Sequence, residues 1–297
     1  MRILLTGVRG QLGWELQKTF QSSCFDRVEV IGVGRDRLNL AQPETIADVV
    51  AEIQPDCIVN CAAYTAVDKA ESEPELAHAI NGIAPRILAE AATKYNAKLL
   101  HVSTDYVFDG TQSHPYTETD ATNPIGEYGK SKLAGEEAIR QTNSSHIILR
   151  TAWVYGVGGR GNFAKTMLRL GKDREEIRVV ADQIGSPSWT GDIANSIAEI
   201  AVNHREIEGT YHFTNSGVAS WYDFAVAIFE EAELLEFPLH LKRVVPITTP
   251  EYPTPAKRPA YSVLSGKKLE GVLGTFAPHW RQGLRQMLAA LQSPLVG

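Results

Sequence analysis

Cysteine is scarce in this chain of 297 residues. It has only Cys24, Cys57 and Cys61, with no Cys-x-x-Cys spacing. An odd, low count argues against a disulfide framework and against a cysteine-ligated zinc site. We therefore expect a cytoplasmic protein in a reducing compartment. We interpret Cys57 and Cys61 as small core residues at the two ends of a predicted buried strand.

Long apolar runs and an excess of positive charge are also missing. No run approaches the roughly 18 to 20 apolar residues of a membrane span, and the apolar start of the chain is too short for a signal peptide. The 29 Lys and Arg are outnumbered by 35 Asp and Glu, for a formal net charge of -6. Nucleic-acid binding requires a basic footprint. The sequence therefore predicts neither a membrane nor a nucleic-acid partner.

A glycine motif stands at a predicted strand-to-helix junction near the start of the chain. The apolar run 2–6 predicts a buried strand, and Gly7, Gly10 and Gly13 follow it before a helical segment at 14–20. Such glycines allow a tight turn and a close approach of the backbone to a diphosphate at the helix N-terminus. The motif favours dinucleotide binding, and a tight turn without a ligand is the alternative.

The end of the second predicted strand, 27–33, bears on which dinucleotide is bound. It runs into Gly34-Arg35-Asp36. Related folds that prefer NAD often place an acidic residue here for the ribose 2′-hydroxyl, whereas an arginine suits a 2′-phosphate. We expect Arg35 to favour NADPH. Asp36 is the opposing evidence, so NADH remains possible.

Strands and helices alternate through the first half of the chain. Further strands are predicted at 56–60, 98–103 and 146–150, with helices between them. This alternation predicts an α/β fold, a doubly wound parallel sheet of the Rossmann type. We expect a dinucleotide-binding domain at 1–150, to which a segment at about 190–215 returns.

The second half of the chain has a different character. It contains a glycine-rich segment at 151–161 and a predicted loop at 246–258 with four prolines. We therefore expect residues 151–297 to form mainly a smaller C-terminal substrate domain. Thr190 is expected to cap the helix that follows it. Arg258 lies between prolines that would hold its loop stiffly, and a guanidinium is well shaped for a diphosphate.

Tyr128 and Lys132 lie four residues apart at the start of a predicted helix, and therefore on one helical face. Reduction of a ketone by hydride needs an acid beside the carbonyl oxygen. A nearby ammonium is expected to lower the pKa of tyrosine from about 10. Thr104, at a strand end, could hydrogen-bond the same carbonyl. The alternatives are a solvated helix face for the pair and backbone capping by Thr104.

Together, the glycine motif, Ser103-Thr104 and Tyr128-x-x-x-Lys132 resemble the extended short-chain dehydrogenase/reductase superfamily, and Asn81 matches its structural asparagine. Longer blocks resemble the dTDP-4-dehydrorhamnose reductases more specifically. These blocks are residues 60–71, 103–110, 150–155, 162–167 and 252–259. The similarity extends from Met1 into the predicted final helix.

The resemblance implies NADPH-dependent reduction of the 4-keto group of dTDP-4-dehydro-6-deoxy-L-mannose to dTDP-L-rhamnose. It implies Thr104, Tyr128 and Lys132 as catalytic residues, and contacts to the dTDP-sugar from Thr104, Asp105 and Trp153. Arg258 joins these as a predicted substrate contact. The predicted cofactor-binding residues are Gly7, Gly10, Gln11, Leu12, Gly13, Arg35, Asn39, Leu40, Ala62, Ala63, Tyr64, Thr65, Tyr128 and Lys132.

The resemblance also implies a homodimer, since some family members are dimers with Mg²⁺ bound by acidic residues. Glu15 matches one such position, but Thr190 stands where another acidic ligand is expected. We therefore predict no metal ligands and leave Mg²⁺ open. Two alternative functions remain. One is another nucleotide-sugar epimerase or dehydratase on this scaffold; the other is a regulatory subunit like that of methionine adenosyltransferase.

Overall fold

The computed structural model describes residues 1–142 and 145–292. Its strands are β1 (Arg2–Thr6), β2 (Glu29–Val33), β3 (Cys57–Asn60), β4 (Lys98–Thr104), β5 (His146–Thr151), β6 (Val154–Tyr155), β7 (Glu176–Val180), β8 (Ile184–Gly185), β9 (Ser188–Trp189), β10 (Gly209–His212), β11 (Ala219–Ser220) and β12 (Arg243–Ile247). Its α-helices are α1 (Gln11–Phe20), α2 (Ile46–Ile53), α3 (Val67–Ala70), α4 (Pro74–His78), α5 (Ala84–Lys94), α6 (Glu127–Thr142), α7 (Phe163–Asp173), α8 (Thr190–Asn203), α9 (Trp221–Leu234), α10 (Lys267–Leu273) and α11 (Trp280–Gln292).

Six strands form one parallel sheet in the order β2-β1-β3-β4-β5-β10. The helices α1 and α8 pack on one face of this sheet, and α2, α5 and α6 pack on the other. Strands covered on both faces are largely apolar, which explains runs such as Ile3-Leu4-Leu5. The predicted doubly wound α/β fold is confirmed.

The order of strands reverses between β1 and β3. From β1 the chain goes to β2 on one side, and it then returns to β3 on the other side. The loops at residues 7–10 and 61–66 follow β1 and β3 and lie side by side at the carboxyl edge of the sheet. Doubly wound sheets bind their ligands at this reversal.

A second core lies around α7, α9 and α11 and the parallel pair β7–β12. The strand β12 contains Pro246, opposite Val179. The predicted start of the loop at residue 246 is therefore wrong, because the strand continues to Ile247. Within the described part of the chain β12 is paired on one side, so a residue without an N–H group is tolerated there. Three elements from this half of the chain join the large sheet: α8 packs on α1, β10 pairs with β5, and α10 packs on β10.

The helices described for residues 1–142 and 145–292 include none with the length and apolar character that crossing a bilayer requires.

Candidate active site

The glycine turn between β1 and α1 closes tightly on itself. Gly7 has a φ of 73° and its carbonyl accepts a hydrogen bond of 2.8 Å from the Gly10 N–H group. A Cβ atom on Gly13 would lie 2.2 Å from the Gly7 oxygen, so only glycine fits there. No side chain caps the start of α1. The first N–H groups of the helix, from Gln11 onward, therefore remain available for an anion.

The loop after β3 is fixed by Asn81. The Asn81 side chain accepts a hydrogen bond from the Tyr64 N–H group (2.9 Å) and donates to the Tyr64 carbonyl (3.0 Å) and to the Ser131 hydroxyl (3.0 Å). Asn81 lies in a π-helical turn, Ala79–Ile83, which is the kind of irregularity often found at functional sites. The partly exposed loop of Ala62, Ala63, Tyr64 and Thr65 is thereby tied to α6.

The end of β2 carries two charged residues, Arg35 and Asp36, which predicted opposite cofactor preferences. Arg35 is exposed. The Asp36 carboxylate, our evidence against NADPH, forms an ion pair of 3.0 Å with Arg9 of the glycine turn. Sequence reasoning missed Arg9, although a basic residue between the first two glycines was a visible signal. Nearby, Asn39 accepts a hydrogen bond from the backbone and Leu40 is buried.

Two contacts seat the start of α6. The Glu127 N–H group donates to the Glu71 carboxylate at 2.9 Å, which places a negative charge at the helix N-terminus. A Cβ atom on Gly129 would lie 2.2 Å from the Tyr106 oxygen, so glycine is needed for α6 to approach this loop. The Tyr128 ring then meets the Tyr106 ring edge to face, with centroids 5.4 Å apart.

Thr104 is buried at the end of β4 and lies beside Tyr128. Its hydroxyl accepts from the Tyr106 N–H group (3.2 Å) and donates to the Asp105 carboxylate (3.0 Å), and it lies next to the Tyr128 side chain. Thr104 therefore both caps the backbone and faces the tyrosine. Burial raises the pKa of Asp105 to about 6, against the hydrogen bond from Thr104.

Lys132 is only 2% exposed, one helical turn after Tyr128. Its Nζ atom donates to the Val102 carbonyl at 2.7 Å and lies 3.2 Å from His101 Nε2. Burial lowers the pKa of Lys132 to about 8, and burial raises the pKa of Tyr128 to about 12. The expectation of a lowered tyrosine pKa is thus wrong for this structure, because desolvation prevails and the ammonium is directed toward β4.

The structure places Trp153 and Arg258 in contacts within the protein. Trp153 has a φ of 49°, and its ring stacks on Trp221 with centroids 3.5 Å apart and planes 3° apart. The Arg258 guanidinium binds the Asp68 carboxylate through two nitrogens, at 2.9 and 3.1 Å, and also contacts Thr254. Arg258 therefore joins the proline-rich loop to α3, beside the Tyr106 loop.

A glycine-rich loop from the second half covers the start of α1. The Asn162 side chain donates to the Gln11 side chain at 2.7 Å and to the Gly156 carbonyl at 2.8 Å. The Lys165 ammonium donates to carbonyls of the same loop, including Gly158 (3.2 Å) and Gly159 (3.3 Å). Sequence reasoning gave Asn162 no role, because its partner Gln11 lies 151 residues away.

Of the two positions that the resemblance matches to magnesium ligands, Glu15 carries a carboxylate and Thr190 does not. The Thr190 hydroxyl donates to Glu15 at 3.3 Å, and α8 has no side-chain cap, so the predicted capping role of Thr190 is wrong. Burial raises the pKa of Glu15, which disfavours the charged form that a cation needs. The residues present therefore do not fit a magnesium site. Across residues 1–142 and 145–292, no group of three or more His, Cys, Asp or Glu residues is arranged to hold a metal.

Comparisons with known proteins identify the family. A family model described as the RmlD substrate binding domain matches residues 1–293. The dTDP-4-dehydrorhamnose reductase of Burkholderia thailandensis is 45% identical over 290 residues, which cover 95% of this chain and 96% of that protein.

Two solved structures extend the comparison to the fold. A dTDP-4-dehydrorhamnose reductase from Clostridium acetobutylicum has a TM-score of 0.91 and 42% identity, and the match covers 98% of this chain and 100% of that one. The enzyme of the same name from Bacillus anthracis, solved in complex with NADP, has a TM-score of 0.90 and 39% identity, with 97% and 99% covered. This chain belongs to the dTDP-4-dehydrorhamnose reductase family.

Proposed function

We propose that this chain reduces the 4-keto group of dTDP-4-dehydro-6-deoxy-L-mannose to a hydroxyl, giving dTDP-L-rhamnose, with NADPH as the reductant. The observation that carries the proposal is the group formed by the buried Thr104 and Lys132 and the half-buried Tyr128 at the carboxyl edge of the sheet. It occurs in a chain of which 95% aligns at 45% identity with a reductase of that name.

The cofactor residues line the reversal of strand order. Gly7, Gly10, Gln11, Leu12 and Gly13 would hold the diphosphate, because α1 presents free N–H groups there. Arg35 would meet the 2′-phosphate, with Arg9 neutralising Asp36. The remaining predicted contacts are Asn39 and Leu40 for the adenine and Ala62, Ala63, Tyr64 and Thr65 for the ribose region. The cofactor, when bound, supplies the hydride.

The protein supplies the proton and the orientation of the sugar. A tyrosine with a pKa of about 12 holds its proton at neutral pH, so Tyr128 can donate to the alkoxide oxygen that forms at C4. Thr104 would orient the carbonyl, and Lys132 would bind the nicotinamide ribose. Asp105 and Trp153 would contact the sugar. No step requires a metal ion.

The proposed division of labour follows the two cores. Residues 1–150, with the segment at about 190–215, would bind NADPH, and residues 151–297 would otherwise bind mainly the sugar nucleotide. For Arg258 to contact the diphosphate of the substrate, it must share its guanidinium with Asp68. We also propose, from the family resemblance and the low cysteine count, a homodimer that works in the cytoplasm.

The test is NADPH oxidation with the dTDP-4-keto-6-deoxy sugar made in situ, alongside the UDP and GDP analogues and with NADH in parallel. We expect one NADPH consumed for each dTDP-L-rhamnose formed. A new sugar formed without net oxidation would instead identify an epimerase or a dehydratase. Binding of NADPH with no turnover on any of these sugars would favour the regulatory subunit.

A further inference from the structure

Three polar side chains form a buried row across the sheet behind Lys132. Thr6, Asn60 and His101 are register partners on the adjacent strands β1, β3 and β4, and each is at most 1% exposed. One step earlier on the same face, the row is Leu4, Ile58 and Leu99, which is apolar. Burying these polar groups would destabilise the fold unless each of them is hydrogen-bonded.

The row is hydrogen-bonded from end to end. The Ala62 N–H group donates to the Thr6 hydroxyl (3.2 Å), which donates to Asn60 Oδ1 (2.6 Å). Asn60 Nδ2 lies 2.9 Å from His101 Nδ1. The other nitrogen of the ring, His101 Nε2, lies 3.2 Å from Lys132 Nζ. The chain of contacts therefore ends on the ammonium group.

The protons of this hydrogen-bonded row can be arranged in two ways. Burial and the charge of Lys132 hold the pKa of His101 well below its usual value, so the neutral ring has one donor and one acceptor. When the Asn60 nitrogen faces Nδ1, the ring carries its proton on Nε2, and Nε2 can donate only to an uncharged lysine. When the Asn60 amide turns by half a rotation, its oxygen accepts from Nδ1, and Nε2 accepts from the ammonium. The Thr6 hydroxyl then accepts from Asn60 Nδ2 and no longer donates to Asn60 Oδ1.

We propose that His101, oriented by Asn60, is a positioning residue for Lys132. Its ring accepts a hydrogen bond from the charged ammonium, and a half-turn of the Asn60 amide lets the same ring donate to the uncharged amine. The Val102 carbonyl and His101 then occupy two of the three ammonium donors, which leaves the third for the cofactor ribose. The inference rests on the role of Lys132 in the proposed function.

Other groups also face Lys132 and contribute to its charge state. Glu136, on α6, favours the ammonium. Cys61, which follows β3, is a neutral thiol, because burial raises its pKa to about 12. Tyr128 lies one turn earlier on α6. A substitution at His101 leaves these groups in place, so it isolates the contribution of the ring.

Two substitutions at His101 form a matched pair. The amide of glutamine reaches the place of Nε2, whereas the shorter asparagine reaches only that of Nδ1. In His101→Asn, the ammonium loses an acceptor, so Lys132 should release its proton at lower pH. We expect the ratio of kcat at pH 9 to kcat at pH 6.5 to fall about tenfold in His101→Asn, in line with a hydrogen bond to a charged group. His101→Gln should keep the parent ratio to within about threefold, by the same argument.

If kcat fell with rising pH in the same way in both variants and in the parent, the inference would be overturned. An equal loss at every pH in both variants would also overturn it, since that is the behaviour of a merely structural residue. Thermal melting and NADPH titration report whether each variant is folded.

The unaltered protein provides a second test that does not depend on the variants folding. Nitrogen-15 NMR of the imidazoles, with His101 assigned by its absence from His101→Gln, reports which ring nitrogen carries the proton. We expect a neutral ring that changes from the Nδ1–H to the Nε2–H tautomer as Lys132 titrates, near pH 8. A single tautomer from pH 6 to 10, or a ring that becomes charged near pH 6.5, would refute the proposal.

The two levels of proposal fail separately. If the parent protein does not oxidise NADPH with the dTDP-sugar, the proposed function is wrong, whereas the tautomer measurement still reports on His101. If the parent turns over normally and the tautomer does not change, only the role of His101 is wrong.

Discussion

The carboxyl edge of the sheet and the loops of the second half hold their candidate residues in different ways. At the sheet edge, Thr104 and Lys132 are buried, and their partners come from the same or adjacent elements. In the second half, Arg258 is held by Asp68, 190 residues away in the chain. The candidate chemistry thus lies on a preorganised edge, whereas the candidate substrate contacts depend on long-range loops that join the two regions.

The largest expected effect is at the sheet edge. Tyr128→Phe removes the hydroxyl beside Thr104 and keeps the ring against Tyr106. Loss of a general acid typically costs about 10²- to 10⁴-fold in kcat. NADPH affinity should be unchanged. Stopped-flow turnover and an NADPH titration measure the two quantities, and near-normal turnover in a folded variant would exclude Tyr128 as the acid.

The same edge should contain a charge that costs stability. The folded pKa of Asp105 is about 6, against 3.8 as its reference value, so the unfolded chain ionises first as pH rises. The penalty is absent below about pH 4 and complete above about pH 6, where a shift of about two units corresponds to about 3 kcal/mol. Asp105→Asn should therefore be more stabilising at pH 8 than at pH 4, measured by urea unfolding.

Asp109 provides the matched control for that experiment. Hydrogen bonds from Asn123 and Thr111 lower the pKa of Asp109 to about 2. Its ionised form is therefore favoured in the folded protein above pH 4, and Asp109→Asn should destabilise at pH 8, with a smaller effect as pH falls toward 2. The same pH trend for both variants would contradict the opposite signs assigned to the two carboxyls.

Arg258 tests the second half of the comparison. Arg258→Ala should weaken dTDP-sugar binding by about 1.5 to 3 kcal/mol, or roughly 10- to 150-fold, the range for a hydrogen bond to a charged group. Asp68→Asn keeps the guanidinium and should weaken binding by less than about threefold, since it removes only one partly exposed ion pair. Calorimetry with dTDP and with NADPH separately provides the measurement. Equal losses of affinity in the two variants would mean that Arg258 holds the two regions together and does not bind the substrate.

The smallest expected effect lies at the exposed end of β2. Arg35→Ala should raise the KM for NADPH by roughly three- to tenfold and leave the KM for NADH nearly unchanged, because only NADPH carries the 2′-phosphate. Arg9→Ala should also raise the KM for NADPH, since it leaves Asp36 unpaired. Steady-state kinetics with both cofactors decide this, and an equal change for NADPH and NADH would mean that Arg35 does not contact the phosphate.

Local patterns predicted the sheet edge well. The alternation of strands and helices is enough to indicate the doubly wound sheet, and the spacing of Tyr128 and Lys132 is enough to place them on one face of α6. The pKa of Tyr128 could not be predicted in the same way. It depends on burial, to which Gly129 contributes by letting α6 approach the Tyr106 loop, and no local pattern reports that burial.

Contacts between distant parts of the chain explain the remaining errors. Thr190 has the residue type of a helix cap, but its hydroxyl donates to Glu15, 175 residues earlier. Pro246 is a residue typical of loops, yet it lies in a strand that, among the residues described, pairs with β7 alone. The Asp36–Arg9 pair likewise joins two segments whose proximity only the β1–β2 pairing creates. In each case the partner, rather than the residue type, sets the structure.

The position of β10 at the end of the sheet has a consequence for synthesis of the protein. Residues 1–151 contain the other five strands of the sheet. The second partner of β5, β10, begins only at Gly209. A nascent chain therefore exposes the edge of β5, a strand that is fully buried in the finished protein, until about sixty more residues have been added, or roughly 3 to 12 s at ordinary translation rates. Exposed edges recruit other strands. A fragment that ends at residue 151 should accordingly aggregate, whereas one that ends after α11, which completes the second core, should not.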